Sequence, residues 1–206
     1  MITNVMMERL AAPNGPTQGQ IVRPSDGRKV NSIAFVQCAG SRDRNHLPYC
    51  SSICCLASLK QTTYLREFNP EATAQIFYID LRAHGRFEHF YDKVKQDPGV
   101  VLTKGKIVNI TEDPSTKDVI VEGEEVLTGR RIRRTFEMAV LAVGMQPNTS
   151  VDKVPGGSVR YDEFGFVIDG DGIHGAGVAR RPMDVATSVQ DSCCAALRAL
   201  QDAVGR

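Results

Sequence analysis

The chain lacks a surplus of charge of either sign. Lys and Arg number 25 against 24 for Asp and Glu over 206 residues, a formal net charge of +1. There is therefore no basic field of the kind a nucleic-acid binder presents. The most basic stretch, Gly129-Arg130-Arg131-Ile132-Arg133-Arg134, reads as the solvated rim of a hairpin. Long hydrophobic runs are missing as well: nothing approaches the roughly 20 apolar residues that span a bilayer, and the N-terminus shows no signal-peptide core. The chain is expected to be soluble by itself. No internal repeat is visible. A further absence concerns glycine: the loop after the apolar run Ser32 to Gln37 holds no G-x-G-x-x-G, although a strand, a loop and a helix follow one another there in the order that normally carries it.

What is present is an ordinary hydrophobic content of 42%, enough for a proper core, and six cysteines in an uneven distribution. Four fall together, at Cys38, Cys50, Cys54 and Cys55, and two are adjacent, at Cys193 and Cys194. A chain of this length does not need disulfide staples. Neighbouring cysteines also pair poorly, because a disulfide asks for Cα atoms more than about 4.4 Å apart. Thiols kept for metal or redox work are the better reading, with Cys193 and Cys194 expected inside a buried apolar stretch of helix.

Hydrophobic periodicity predicts a βαβα start: a strand over Ser32 to Gln37, a helix over Ser51 to Phe68 ended by Asn69-Pro70, a strand over Ala74 to Asp80 and a helix over Phe87 to Gln96. The period then changes to two. Strands are expected over Val100 to Leu102, Lys106 to Thr111, Asp118 to Glu122 and Arg131 to Glu137, turning at Asp113-Pro114-Ser115. Met138 to Val143 is wholly apolar, like a strand buried on both faces of a parallel sheet, and Val185 to Ala203 reads as a closing helix. Residues 1–30, rich in Pro, Gly, Asn and Ser after a short helical start, read as a connecting arm. This order is the layout of an α/β, FAD/NAD(P)-binding domain with a small antiparallel meander. Residues 31–145 would form the NAD(P)-binding-like domain and 146–206 part of a flavin domain.

The loop after the first main strand carries Cys38-Ala39-Gly40-Ser41 where a dinucleotide site would have its glycines, and it is longer than such a site needs. The spacing C-x11-C-x3-C-C supplies the ligand number of a four-iron cluster or a structural zinc. Cys50 and Cys54, four apart, share a helix face, whereas Cys54 and Cys55 diverge by about 100°. Zinc is usually held by two short knuckles, and there is no second one. An iron–sulfur cluster is the preferred reading; zinc, a redox disulfide and inert thiols stay open.

The strings CAGSRDRNHLPYCSSICCLASLK, YIDLRAHGRFEHFYDK, LAVGMQPN and GVARRPMDVATSVQDS together resemble the family of A-type heterodisulfide reductase subunits. Within it the likeness is greatest to the A-type flavoprotein subunits of quinone-interacting membrane-bound oxidoreductase complexes of sulfate reducers. The resemblance implies a thioredoxin-reductase-like oxidoreductase subunit that transfers electrons through FAD and a [4Fe-4S] cluster. It implies Cys38, Cys50, Cys54 and Cys55 as cluster ligands, and Gly144, Pro147, Asn148, Gly175, Gly177, Asp184 and Val185 as residues lying against the flavin. It also implies partners: adenylylsulfate reductase, a related flavin and iron–sulfur subunit, and a membrane quinone-reactive subunit. The place would be cytoplasmic, peripheral to the inner membrane. The family's initial glycine-rich FAD segment is not in this sequence, so a fragment is expected.

Other residues carry weaker signals. Met183 and Asp184 could equally cap the last helix. Asp80 sits where a ribose-binding acid would stand, with a salt bridge to Arg82 as the simpler reading. His84 and His89 do not share a helix face and are expected at the surface, and His46 could tune a cluster by hydrogen bonding. Two rival functions stay open: a zinc-stabilised interaction module without redox activity, and a pyridine-nucleotide:disulfide oxidoreductase.

Overall fold

The computed structural model describes residues 1–156 and 158–205. They divide into two compact units, one formed by Met1–Gly40 with Cys54–Val143, the other by Ser41–Ile53 with Gly144–Arg206.

The first unit is built on a mixed sheet. In chain order its elements are β1 (Ile2–Thr3), α1 (Asn4–Ala11), β2 (Ser32–Ala39), α2 (Cys54–Phe68), β3 (Thr73–Tyr78), α3 (Glu88–Lys95), β4 (Val100–Glu112), β5 (Val119–Glu125), β6 (Arg130–Phe136) and β7 (Met138–Val143). The strands lie in the order β1-β7-β2-β3-β4-β5-β6. Pairing is parallel from β1 through β4 and antiparallel beyond it. From β2 the order runs with the chain through β3 and β4, while on its other side lies β7, the last strand of the unit. The order therefore reverses between β2 and β7.

The apolar runs of β2 and β7 follow from burial on both faces. Ile33 and Phe35 of β2 and Met138 and Val140 of β7 join Met7, Leu59, Leu65 and Val94 in one core cluster. Ala34 and Ala139 point the other way, into a second cluster with Phe77, Val119, Val121, Ile132 and Phe136. Burying a side chain such as Phe35 or Ile33 contributes about 1.5–3 kcal/mol. Two of the expected strands prove to be one. β4 pairs with β3 from Val100 to Lys104 and with β5 from Gly105 to Glu112, so a change of partner, not a break in the strand, interrupts its pattern.

The first 30 residues are more than a tether. Ile2, Met7, Leu10, Ile21 and Val30 are buried in the main cluster. Arg23, itself buried, bonds Asp26 through Nε and Nη2 and Asp118 through Nη1 at 2.9 Å. Isolated apolar residues among Pro and Gly look like loop locally, and only distant partners make them core. The arginine-rich run is β6, with Ile132 inward and the arginines exposed; Arg133 meets Glu122 at 2.7 Å across the hairpin.

The second unit has the short hairpin β8 (Arg160–Tyr161) and β9 (Val167–Ile168) and the helix α4 (Val185–Ala203). Segment 41–53 belongs to it. Tyr49 stacks edge-on against Phe164 and Phe166, with centroids at 5.1 and 5.4 Å, and donates its hydroxyl hydrogen to Met145 O at 3.1 Å. Burial and the Asp162 carboxylate push its phenol pKa up, which keeps that donor protonated. Among the described residues no helix is long and apolar enough to cross a membrane.

Candidate metal centre and flavin cleft

The cysteine site of the first unit begins with an irregularity in a strand. Val36 pairs with Leu141 and Ala39 with Val143, so Gln37 and Cys38 together oppose the single residue Ala142. This is a β-bulge, and Cys38 within it has φ 57°, a left-handed conformation uncommon for a residue with a Cβ. Bulges of this kind re-aim a side chain at a strand end.

Helix α2 starts at Cys54, so Cys54 and Cys55 both lie in its first turn, 6% and 9% exposed. Their thiols diverge as successive helical positions must. Cys54 Sγ donates to Val143 O, at the carboxyl end of β7, and Cys55 Sγ to Asp80 O, just beyond the carboxyl end of β3, each at 3.5 Å. Cys38 stands at the carboxyl end of β2. Three thiols thus gather at the carboxyl ends of three adjacent parallel strands, where the order reverses. In open α/β sheets this is where ligands bind.

Cys50 belongs to the second unit, half-buried, with its Sγ accepting from Ser52 N at 3.4 Å. Among the described residues no cysteine is in a disulfide, and no three or more His, Cys, Asp or Glu side chains are placed to hold one metal ion. A four-iron cluster does not ask that of its ligands, since each thiolate binds a different iron. The donor set suits such a cluster: soft thiols, with two of them aimed apart.

Several neighbours have simpler roles. The Asp80 carboxylate lies 3.7 Å from Arg82. His46 is largely exposed, beside Asp43 at 3.4 Å. Cys193 and Cys194 are exposed, against the expectation of burial. The reason is that α4 buries Asp191 and Ala195 and turns Val185, Val189, Leu197 and Leu200 outward.

The residues expected against a flavin all lie in the second unit. Pro147 and Asn148 line a cleft of about 210 Å³ together with Gln146, Thr149, Val178 and Ala179. The structure therefore brings Gln146–Thr149 and Val178–Ala179 to one cavity, whereas Gly144, Gly175, Gly177, Asp184 and Val185 are not among its lining residues. Gly144 is needed for a close approach: a Cβ there would collide with Ser41 Oγ and come within 2.8 Å of Ser51 Oγ. Ser51 Oγ in turn accepts from Met145 N at 2.7 Å.

Gly177 has φ 58°, which favours glycine, and its N–H donates to Asp191 Oδ2 at 3.0 Å. Arg180 Nη1 donates to the other oxygen of Asp191 at 2.9 Å. Burial by itself would raise the Asp191 carboxyl, but the Gly177 N–H and the Arg180 guanidinium outweigh it and hold the group below the usual carboxylate range. Gly175 N donates to Asp169 Oδ1 at 2.9 Å. Asp184 caps α4, accepting from Thr187 N at 2.9 Å and Thr187 Oγ1 at 2.8 Å, and Val185 is the exposed first residue of that helix. The cap was legible in the sequence; the buried carboxylate of Asp191 was not, because nothing local distinguishes it from a surface acid.

No family model matches the chain. The second A-type iron-sulfur subunit of the CoB–CoM heterodisulfide reductase of Methanopyrus kandleri is 38% identical over 97% of this chain and 32% of its own length. The A-type subunit of the H2:CoB-CoM heterodisulfide,ferredoxin reductase of Methanothermobacter thermautotrophicus is 33% identical over 97% of this chain and 32% of its own. Among solved structures, thioredoxin reductase of Lactococcus lactis is similar with a TM-score of 0.56 at 19% identity, covering 85% of this chain and 54% of that one, which shows the FAD/NAD(P)-binding fold. Spanning about a third of the length of the relatives it matches, the chain belongs to the family of A-type heterodisulfide reductase subunits.

Proposed function

We propose that this chain relays electrons through one [4Fe-4S] cluster held by Cys38, Cys50, Cys54 and Cys55. The observation that carries the reading is the placement of Cys38, Cys54 and Cys55 at the carboxyl ends of β2, β7 and β3, the ligand position of the fold. The positive end of the α2 dipole favours the cluster's negative charge there. A zinc ion would need all four sulfurs about 2.3 Å from one point, and the divergence of Cys54 and Cys55 toward different carbonyls speaks for the larger group.

FAD is proposed for the second unit, at the cleft of Pro147 and Asn148, with Gly144, Gly175, Gly177, Asp184 and Val185 shaping the surrounding backbone. When bound, the cluster supplies one-electron transfer and the flavin a two-electron store. The chain's own residues hold the thiolates apart, shield two of them from water and fix the cleft.

For the whole protein the reading extends to a complex with two further subunits, one a related flavin and iron–sulfur subunit, the other a membrane quinone-reactive subunit. There it would link menaquinone and adenylylsulfate reduction on the cytoplasmic side of the inner membrane. The sequence strings shared with the quinone-interacting complexes support this finer assignment.

Anaerobic purification followed by iron, sulfide and zinc analysis tests the proposal. A brown protein that bleaches with dithionite is expected, with iron lost in Cys54→Ala and in Cys55→Ala. A colourless protein with stoichiometric zinc would instead establish the interaction-module reading.

A further inference from the structure

We propose that the Gln37 side chain donates an amide hydrogen to a sulfur of the iron–sulfur cluster and thereby raises its reduction potential; the inference rests on the cluster reading above. Gln37 is 6% exposed, and neither its Nε2 nor its Oε1 has a hydrogen-bond partner among the described residues. A buried amide left this way is destabilising enough that native proteins rarely keep one. Apart from the Ser58 hydroxyl, the other buried unpartnered atoms among the described residues belong to side chains that are already engaged: Gln61 Nε2 holds Asn4 O, His174 holds Asp202 and Arg198 holds Asp169. In Gln37 the whole polar group is unanswered.

Its position says what would answer it. Gln37 precedes Cys38 and shares with it the bulge opposite Ala142. By strand alternation it continues the Ile33 and Phe35 side of β2, which shares a core cluster with Leu59 and Leu65 of α2. On that helix Ser58, one turn after Cys54, is fully buried with an equally unpartnered hydroxyl. Two buried polar side chains without partners among the described residues thus stand next to Cys38 in the chain and one helical turn from Cys54. One-electron reduction adds a negative charge to the cluster and breaks no bond, so an N–H aimed at a sulfur stabilises the reduced form over the oxidised one.

The test compares wild type with Gln37→Met, which keeps the length and removes the donor. Both are reconstituted anaerobically with iron and sulfide and titrated with dithionite under EPR. Full iron content is expected in each, with about a tenfold smaller reduced-to-oxidised ratio for the variant at the wild-type midpoint, or about 59 mV for one electron. The iron-free variant is expected to melt above iron-free wild type, since its orphaned amide is gone. An unchanged potential at full iron content overturns the inference. Should Gln37→Met fail to take up iron, pulsed EPR on wild type carrying side-chain 15N-glutamine decides: coupling of an amide nitrogen to the reduced cluster supports the proposal, and none overturns it. A wild-type protein that takes up no iron overturns the cluster reading itself, so the two failures are distinct.

Discussion

In the first unit, burial belongs mostly to aliphatic and aromatic side chains gathered on the two faces of one sheet. In the second, Phe166, Val167, Met183 and Ala195 are buried, and the turns are held by carboxylates: Asp191 on Gly177 and Arg180, Asp169 on Gly175 and Arg198. Apolar packing is tolerant of small shifts and insensitive to pH, while charge-assisted hydrogen bonds fix backbone direction and depend on protonation. The difference is one between a scaffold and a shaped cleft.

The comparison can be broken most sharply at Phe35. Phe35→Ala should destabilise the chain by about 3–5 kcal/mol, read as a shift of the urea midpoint; a loss below about 1 kcal/mol would mean that the sheet core is not what holds the first unit. Asp191→Ala is expected to cost less, about 1–3 kcal/mol, and its effect should be local. Hydrogen exchange at the Gly177 amide should rise strongly while amides of β2 stay protected; uniform loss of protection would contradict a cleft held by its own network.

Acid offers a milder probe of both units. Arg66 holds the Asp97 carboxyl of the first unit below its usual range, as Gly177 and Arg180 do for Asp191. A carboxyl depressed on folding contributes stability that is fully present above its ordinary value near 3.9 and is lost as the pH falls through the lower folded value. Stability should therefore fall on the acid side of about pH 4, and less steeply in Arg66→Met; an identical acid limb would rule out the Asp97 contribution. The smallest effect is expected on α4, where Leu197→Gln should change stability by no more than about 0.5 kcal/mol because the side chain is already exposed. A cooperative loss on melting would show that this face is covered.

Legibility in the sequence followed how local the cause was. β7 and α4 stand at the expected residues, since an apolar run bounded by Glu137 and Gly144, and a helix capped by Asp184, carry their own signals. Of the site, the divergence of Cys54 and Cys55 was readable from helical geometry, whereas α2 starts at Cys54 and not at Ser51, which leaves Cys50 in the loop before it instead of on a shared helix face. The bulge at Cys38 was not readable, because an extra residue in β2 is defined only by its pairing with β7. Gln37 was invisible for the same reason: a lone glutamine is polar until a sheet and a helix close over it. His46, the tuning candidate by position, is largely exposed.

The membership of segment 41–53 in the second unit has a practical consequence for anyone dividing the molecule. The backbone passes between the units three times, after Gly40, after Ile53 and after Val143. Severing it at the last of these junctions would leave Tyr49 without Phe164 and Phe166, and Ser51 without the Met145 amide. A single-cut dissection yields no intact half; only a graft that replaces 41–53 with a short neutral linker could isolate the sheet, and it would remove Cys50 with it.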